Sequence, residues 1–329
     1  MKYIIFLLGL GAVLFFFFAS SSDNTNQPQR QDINIENEKS MEASGIPFSE
    51  HIFFQPLQEP IFHLHGLGYP NNQGALFLAT HHGLKVFYNG QWLETRGNNH
   101  DYMGFQATAD GFYTSGHPEE GTELANPIGL MKSEDLGETL EKVSFYGESD
   151  FHHLSAGYFT QSIYVVNTVP NSQIETGLYY STDGGTSWEN SRLEGLPLTS
   201  AHSIATHPRL AKTVGISTPE GLYLSHNKGN SFSLVSEEIP VGAVFIKEES
   251  ILYVVEDGNN RMLLEQPLES DDTKEIPLPS LKEDESILYL AVSPINEEEI
   301  SFSTDKGNVW TTTNYGNSWS NILVEGNVP

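Results

Sequence analysis

The sequence predicts an all-β chain folded as a β-propeller of six blades, each of four antiparallel strands, with seven blades as the alternative count. Three observations carry this expectation. An eight-residue turn motif occurs four times, starting at Ser133, Ser181, Ser225 and Thr312. The spacings are 48, 44 and 87 residues, so the last gap is two periods of a repeat. Short runs of β-branched and aromatic residues recur inside each period, among them ALFLAT (75–80), SIYVVN (162–167), GLYYS (177–181) and ILYVVE (251–256). Almost no helix-period pattern follows residue 47.

The chain begins with Lys2, an apolar run from Tyr3 to Phe18, and the small residues Ala19-Ser20-Ser21-Ser22. Residues 1–21 therefore read as a secretory signal peptide cleaved near Ser21, or as an uncleaved N-terminal anchor. Residues 22–46, rich in Ser, Asn, Gln, Asp and Glu, read as a flexible polar linker. Residues 47–329 make the propeller. The expected location is secreted or extracellular, with membrane contact only through the N-terminal segment. The 329 residues contain no cysteine, which excludes disulfides, Cys-ligated zinc, a thiol nucleophile and a lipoprotein anchor. A net charge of −27 opposes nucleic acid and anionic membrane surfaces as partners.

The blades follow in order. Blade one spans about 61–98 and carries an eroded copy of the turn at Tyr88-Asn89-Gly90-Gln91-Trp92. Ahead of it, His51 to Gln55 (HIFFQ) is a candidate extra edge strand. Blade two spans 99–146 with the copy SEDLGETL (133–140) and an unusually long loop, GHPEEGTELANP (116–127). Glu119, Glu120 and Glu123 in that loop are candidate acids, although solvated loop carboxylates are the commoner case. Blade three, 147–197, holds the sharpest copy, STDGGTSW (181–188), and blade four, 198–240, holds SHNKGNSF (225–232). Blade five, 241–285, should hide a degenerate copy in LESDDT (268–273), and blade six, 286–325, ends with TTNYGNSW (312–319). Each full copy reads hydroxyl, any, Asp/Asn, any, Gly, any, Ser/Thr, large apolar. The Asp or Asn accepts backbone N–H bonds within a tight turn, and the Gly takes positive φ. Asp135 and Asp183 are therefore turn-formers rather than catalysts. Because the chain ends just after its last strand, ring closure is expected without the usual exchange of a strand between termini.

Nine of the twelve histidines should fall on one face of the disc, opposite the motif turns. His63, His65, His100, His152, His153 and His202 lie at or beside the starts of innermost strands. His81, His82 and His117 lie in loops between second and third strands. The innermost strands align as HLHGL (63–67), DYMGF (101–105), DFHHL (150–154) and SAHSI (200–204). Their first column reads His63, Asp101, Asp150, Ser200, and their third reads His65, Met103, His152, His202. Residues two apart on a strand share a side, so an Asp/His ring is expected at the channel mouth. His63, His65, His152 and His202 are candidate ligands for a divalent metal, Zn²⁺ or Mn²⁺. Asp101 and Asp150 are candidate catalytic acid and base, a carboxylate pair of the glycoside-hydrolase kind. His81, His82, His100, Tyr102, His117 and His153 are candidate ligand-binding residues. A histidine at a strand start also serves simply to bond a neighbouring loop. His207 in THPRL reads as such a turn residue.

The turn motif is identified as an Asp-box, the signature of the BNR-repeat family, which places the chain beside sialidases, propeller glycoside hydrolases, sortilin-type receptors and photosystem II assembly factors. HHGL (81–84), DYMGF (101–105), GHP (116–118), NPIGL (126–130) and DFHH (150–153) resemble a family of secreted bacterial propellers that carries the glycosylhydrolase label. In such propellers the box lies between the third and fourth strands, and ligand sites are built on the opposite face around the channel. The resemblance implies a glycosylhydrolase-like protein acting on, or binding, a glycan or other polar ligand. The alternative it implies is a non-catalytic scaffold binding an envelope protein partner. A sialidase is disfavoured: that family clamps its substrate carboxylate with three arginines, whereas Arg96, Arg192, Arg209 and Arg261 of this propeller all lie away from innermost-strand starts.

Overall fold

Within each blade, four consecutive strands pair antiparallel in chain order from the axis outward. The innermost strands are Leu64–Gly68, Asp101–Thr108, Leu154–Ala156, Ser203–Thr206, Val241–Ile246 and Ile287–Ser293. Six such sheets form a six-bladed β-propeller, as the repeat predicts. The computed structural model describes Phe48 and residues 51–197, 201–258 and 260–329. The expected signal or anchor (1–21) and linker (22–46) lie outside the described residues. Among the described residues no helix is long and apolar enough to cross a membrane.

The hydrophobic core is not central but divided among the six junctions between neighbouring blades. Strand alternation assigns each side chain to one junction or the other. In the second strand of blade five, Leu252 and Val254 pack toward blade six, while Ile251, Tyr253 and Val255 pack toward blade four. All five are nearly inaccessible, which is why this strand reads as a continuous apolar run rather than an alternating one. Near the axis the blades approach so closely that side chains must vanish. A Cβ on Gly104 would lie 2.2 Å from the carbonyl oxygen of Phe151 in blade three.

The four motif copies sit between third and fourth strands and share one hydrogen-bond scheme. In the sharpest, Ser181 Oγ donates to Asp183 Oδ1 (2.8 Å) and accepts the buried Gly185 N–H (2.8 Å). Asp183 in turn accepts the Ser187 N–H (2.9 Å) and the Ser187 hydroxyl (2.6 Å). Where Asn replaces Asp, the amide keeps both ends: Asn227 Oδ1 accepts the Ser231 N–H and Asn227 Nδ2 donates to Ser231 Oγ. Blade five retains only a fragment, Ser270 Oγ donating to Asp272 (3.0 Å) and accepting the Asp272 N–H. Lys274 stands where the other copies have Gly, so the rest of the turn does not form.

The ring closes without strand exchange, since each sheet uses consecutive strands. Blade one instead gains a fifth strand, Phe54–Pro56, on its outer edge, with Phe54 opposite Thr95. Blades six and one are joined by Ile61 N–H to Gly326 O (2.7 Å), Trp92 Nε1–H to Ile322 O (2.9 Å), and the buried pair Tyr69 hydroxyl and Ser301 Oγ (2.7 Å). A shared apolar cluster including Leu76, Leu78, Trp92, Val309 and Leu323 completes the seam.

Two outcomes follow from the turns. Ser181→Ala orphans the buried Gly185 N–H and should cost about 1–3 kcal/mol in urea unfolding, whereas Ser181→Thr, the hydroxyl Thr312 supplies in the last copy, should be near neutral. Hydrogen bonds from Ser187 and Ser181 hold the Asp183 carboxyl at about 2, below its ordinary 3.8. A depressed carboxyl contributes stability above about pH 3.8 that is lost as pH falls toward about 2. Asp183→Asn should therefore lower the Tm at pH 7 modestly and make the acid limb shallower, checked by thermal unfolding from pH 7 to 2.

Candidate functional site

A β-bulge repeats beside the axis and sets the site. In blade one Leu64 pairs with Thr80 and Gly66 with Ala79, which leaves His65 as the extra, unpaired residue. In blade two Tyr102 pairs with Gly116 and Gly104 with Ser115, leaving Met103 in the same role. A bulge re-aims its side chain, and here both residues line the axial cavity. The second-to-third-strand turn of blade one contributes next. Thr80 pairs with Gly83, leaving His81 and His82 at a two-residue tip. Thr80 Oγ1 accepts the His82 N–H and donates to Gly83 O, while the Gly83 N–H donates to His100 O in blade two.

These anchors bring His81 of blade one against Asp101 of blade two, with Nδ1 and Oδ2 2.8 Å apart. The relation recurs one blade on. His117, the cross-strand partner of Asp101, directs Nε2 at Asp150 Oδ2 of blade three (3.2 Å), and its Nδ1 lies 2.7 Å from Asn126 Oδ1. His152 Nδ1 also reaches Asp150 (3.5 Å). Two consecutive junctions thus carry a histidine, one from a turn and one from a strand end, facing the first aspartate of the next blade. Oδ1 of Asp101 and Oδ1 of Asp150 are each buried with no hydrogen-bond partner. The equivalent position at the third junction, Ser200, lies outside the described residues.

The remaining candidates divide. His65 is half-buried, its ring 4.6 Å from that of His81, and its Nε2 is buried without a partner. Burial, then repulsion from His81, pushes the His65 imidazole down to about 4 from its ordinary 6.5. His63 is exposed, 4.9 Å from His81 ring to ring, and adopts a left-handed φ of 53°. One ligand atom each from His65, His81 and Asp101 lies within 4.8 Å of the others. His152 is grouped with Asp150, and His202 is tied to blade five by Nδ1–H donating to Val241 O (2.9 Å). His82 is exposed at the turn tip. His100 is buried and accepts the Glu119 N–H at Nδ1 (2.8 Å), which pins the long loop. Glu119 is held there too, accepting the Asn99 N–H (3.0 Å). Tyr102 is buried in the junction, its hydroxyl donating to Asn98 O (2.8 Å), and burial raises its pKa. His153 is half-buried, and burial followed by the neighbouring His152 and His202 lowers its pKa. His207 is a turn residue: its Nδ1 accepts the N–H groups of Arg209 and Leu210.

The axial cavity measures about 500 Å³. Its mouth is formed by His65, Met103, His152 and His202, and its waist by one apolar residue from each blade: Leu67, Phe105, Leu154, Ile204, Val244 and Leu290. A shallow basin beside the mouth is lined by Phe62, His63, His81, Asp101, His117 and Glu119. Sequence reasoning sorted these residues by strand column and so did not join His81 to Asp101 or His117 to Asp150. The signal was present as HHGL and GHP, each one blade ahead of an Asp-led strand.

No family model and no curated protein matches the chain. Its fold is similar to solved structures at low identity. A GH74 xyloglucanase from Xanthomonas campestris aligns with TM-score 0.52 and 14% identity over 82% of this chain and 46% of that one. A GH74 enzyme from Niastella koreensis aligns with TM-score 0.53 and 14% identity, over 83% and 47%. YCF48 from Cyanidioschyzon merolae aligns with TM-score 0.50 and 13% identity, over 84% and 89%. The chain spans less than half the length of those GH74 enzymes. These likenesses concern the β-propeller fold.

His65, His100 and His153 are all held below the ordinary 6.5 by burial. The unfolded chain takes up their protons first as pH falls, so stability present above about 6.5 is lost on the way down toward about 4, where His65 titrates. His100→Asn keeps an acceptor for the Glu119 N–H and removes one buried imidazole. Thermal unfolding from pH 8 to 5 should show a shallower loss in this variant than in the wild type; equal slopes would assign the pH dependence elsewhere.

Proposed function

We propose that the chain is an exported Asp-box propeller, secreted or tethered to the envelope by residues 1–21, that binds a glycan at its histidine-rich face and acts on it as a glycoside hydrolase. The observation that carries the reading is the pair of consecutive His–Asp contacts, His81 with Asp101 and His117 with Asp150, beside an open cavity. Carboxylates paired with imidazoles are suited to moving protons near neutral pH. A largely apolar waist beneath a polar mouth matches a sugar, whose ring offers apolar faces and hydroxyl edges. The shared Ser/Thr-to-Asp/Asn turn geometry supports the Asp-box assignment. Asp101 and Asp150 are only 22% and 17% exposed; each turns Oδ2 toward a histidine and keeps Oδ1 buried without a partner.

The test is a panel of soluble plant, bacterial and host polysaccharides incubated with the purified chain, with reducing ends measured. Turnover of one class, reduced about 10²–10⁴-fold in Asp101→Asn and in Asp150→Asn with the fold retained, is the expected result. Binding without turnover would remove the enzymatic reading and leave a glycan-binding propeller, and turnover unaffected by both substitutions would remove Asp101 and Asp150 as the acid/base pair. Neither binding nor turnover would leave the scaffold for an envelope partner.

A further inference from the structure

We propose that His65, His81 and Asp101 form a binding site for one divalent transition-metal ion, Zn²⁺ or Mn²⁺, across the junction of blades one and two. The inference rests on the ligand-face reading and revises one role in it: with an ion bound, Asp101 is a ligand and the Asp150–His117 pair is left to move protons, yet the site stands on geometry that does not require turnover.

The donor set is the first argument. Two imidazoles and a carboxylate, each offering an atom within 4.8 Å of the others, are the usual nitrogen–oxygen complement of a three-ligand site with open positions. The spacing is close to what an ion needs. Two ligand atoms each about 2.0–2.1 Å from a tetrahedral zinc lie roughly 3.4 Å apart. His81 Nδ1 and Asp101 Oδ2 stand at 2.8 Å, so an ion can replace their hydrogen bond with little movement of either residue.

The second argument is the state of the remaining polar atoms. His65 Nε2 and Asp101 Oδ1 are buried without any hydrogen-bond partner. Buried polar atoms are nearly always satisfied, and two orphans within one three-residue cluster point to a missing shared partner. The third argument is preorganisation. His65 is fixed by a bulge, His81 by a two-residue turn locked through Thr80, and Asp101 by the first position of its strand. Ligands on such anchored positions lose little freedom when an ion binds. His63, with its ring 4.9 Å from that of His81, is the neighbour best placed to contribute a further ligand.

The site differs from a column of equivalent strand positions. His152 is engaged with Asp150, and His202 donates to Val241 O. The experiment is elemental analysis and calorimetric titration with ZnCl₂ and MnCl₂, using the full chain prepared without a histidine tag. One equivalent should bind, Tm should rise with the ion, and affinity should fall at least about 10-fold in His81→Ala and in Asp101→Asn while His202→Ala binds as wild type. Asp101→Asn is isosteric and carries the test if His81→Ala fails to fold. Absence of saturable binding, or binding lost in His202→Ala but kept in Asp101→Asn, overturns the proposal. The two readings separate cleanly. One bound equivalent without glycan turnover keeps the metal site and removes the enzyme. Turnover by a chain that binds no ion overturns the metal site and leaves the glycan reading standing.

Discussion

Every feature of this molecule depends on closing the ring between blade six and blade one. A propeller whose terminal blades share a strand closes by a hydrogen-bonded ladder; here closure rests on one apolar cluster and a few hydrogen bonds. Trp92 does the most, burying its ring in the seam while its indole N–H is satisfied by Ile322 O, 230 residues away in sequence. The Tyr69 hydroxyl is likewise satisfied, because Ser301 Oγ donates to Thr311 Oγ1 and so accepts from Tyr69. Contacts at such separation form only after most of the chain has ordered. Opening the seam would therefore release not one blade but the spacing of all six, and the site is made of residues that meet only across blade junctions.

That dependence explains why small residues crowd the axis. Gly68 has no room for a Cβ, which would lie 2.7 Å from Ala107 Cβ, and Gly104 meets the Phe151 carbonyl. A ring of six blades brings innermost strands close, and the strand starts inherit that proximity. His81 and Asp101 come within hydrogen-bond distance because the backbones beneath them cannot be farther apart. The site geometry is thus a joint consequence of packing at the blade junctions and of the bulge and turn that place His65 and His81.

Much of the fold was legible because its signals are local. The turn copies at Ser133, Ser181, Ser225 and Thr312 each form with residues fewer than eight apart, so pattern and structure coincide. The fragment at Ser270 was legible from the period alone, and it forms only the part of the turn its residues allow. The extra edge strand, expected at His51–Gln55, lies at Phe54–Pro56 because pairing with Thr95 through Leu93, not local propensity, sets its register. The concentration of histidines at strand starts and second-to-third turns was also legible. Their partners were not. His81 and Asp101 are separated by nineteen residues that run through two strands and their turns, and they meet only across a blade junction, while His100 is set apart from His117 by the Glu119 loop that roofs it.

The ring is unequal, and the inequality has a physical sense. Blades five and six contribute long second strands, Ser250–Asp257 and Asn296–Thr304, beside innermost strands that carry bulges of their own between Val241 and Val244 and between Ile287 and Tyr289. Blades three and four begin with short innermost strands, Leu154–Ala156 and Ser203–Thr206, preceded by backbone that is not in a ladder. Blades one and two reach a similar end through bulges at His65 and Met103. Irregular backbone is what lets a strand start turn a histidine toward the axis or an aspartate toward its neighbour, and it costs pairing. The longer ladders of blades five and six offset that cost, and blade six also holds the seam. The histidines gather on blades one to four, whereas blades five and six face the cavity with Val244, Lys247, Tyr289, Leu290 and Glu297, so what sets the two halves apart is the residue at each strand start rather than the presence of a bulge.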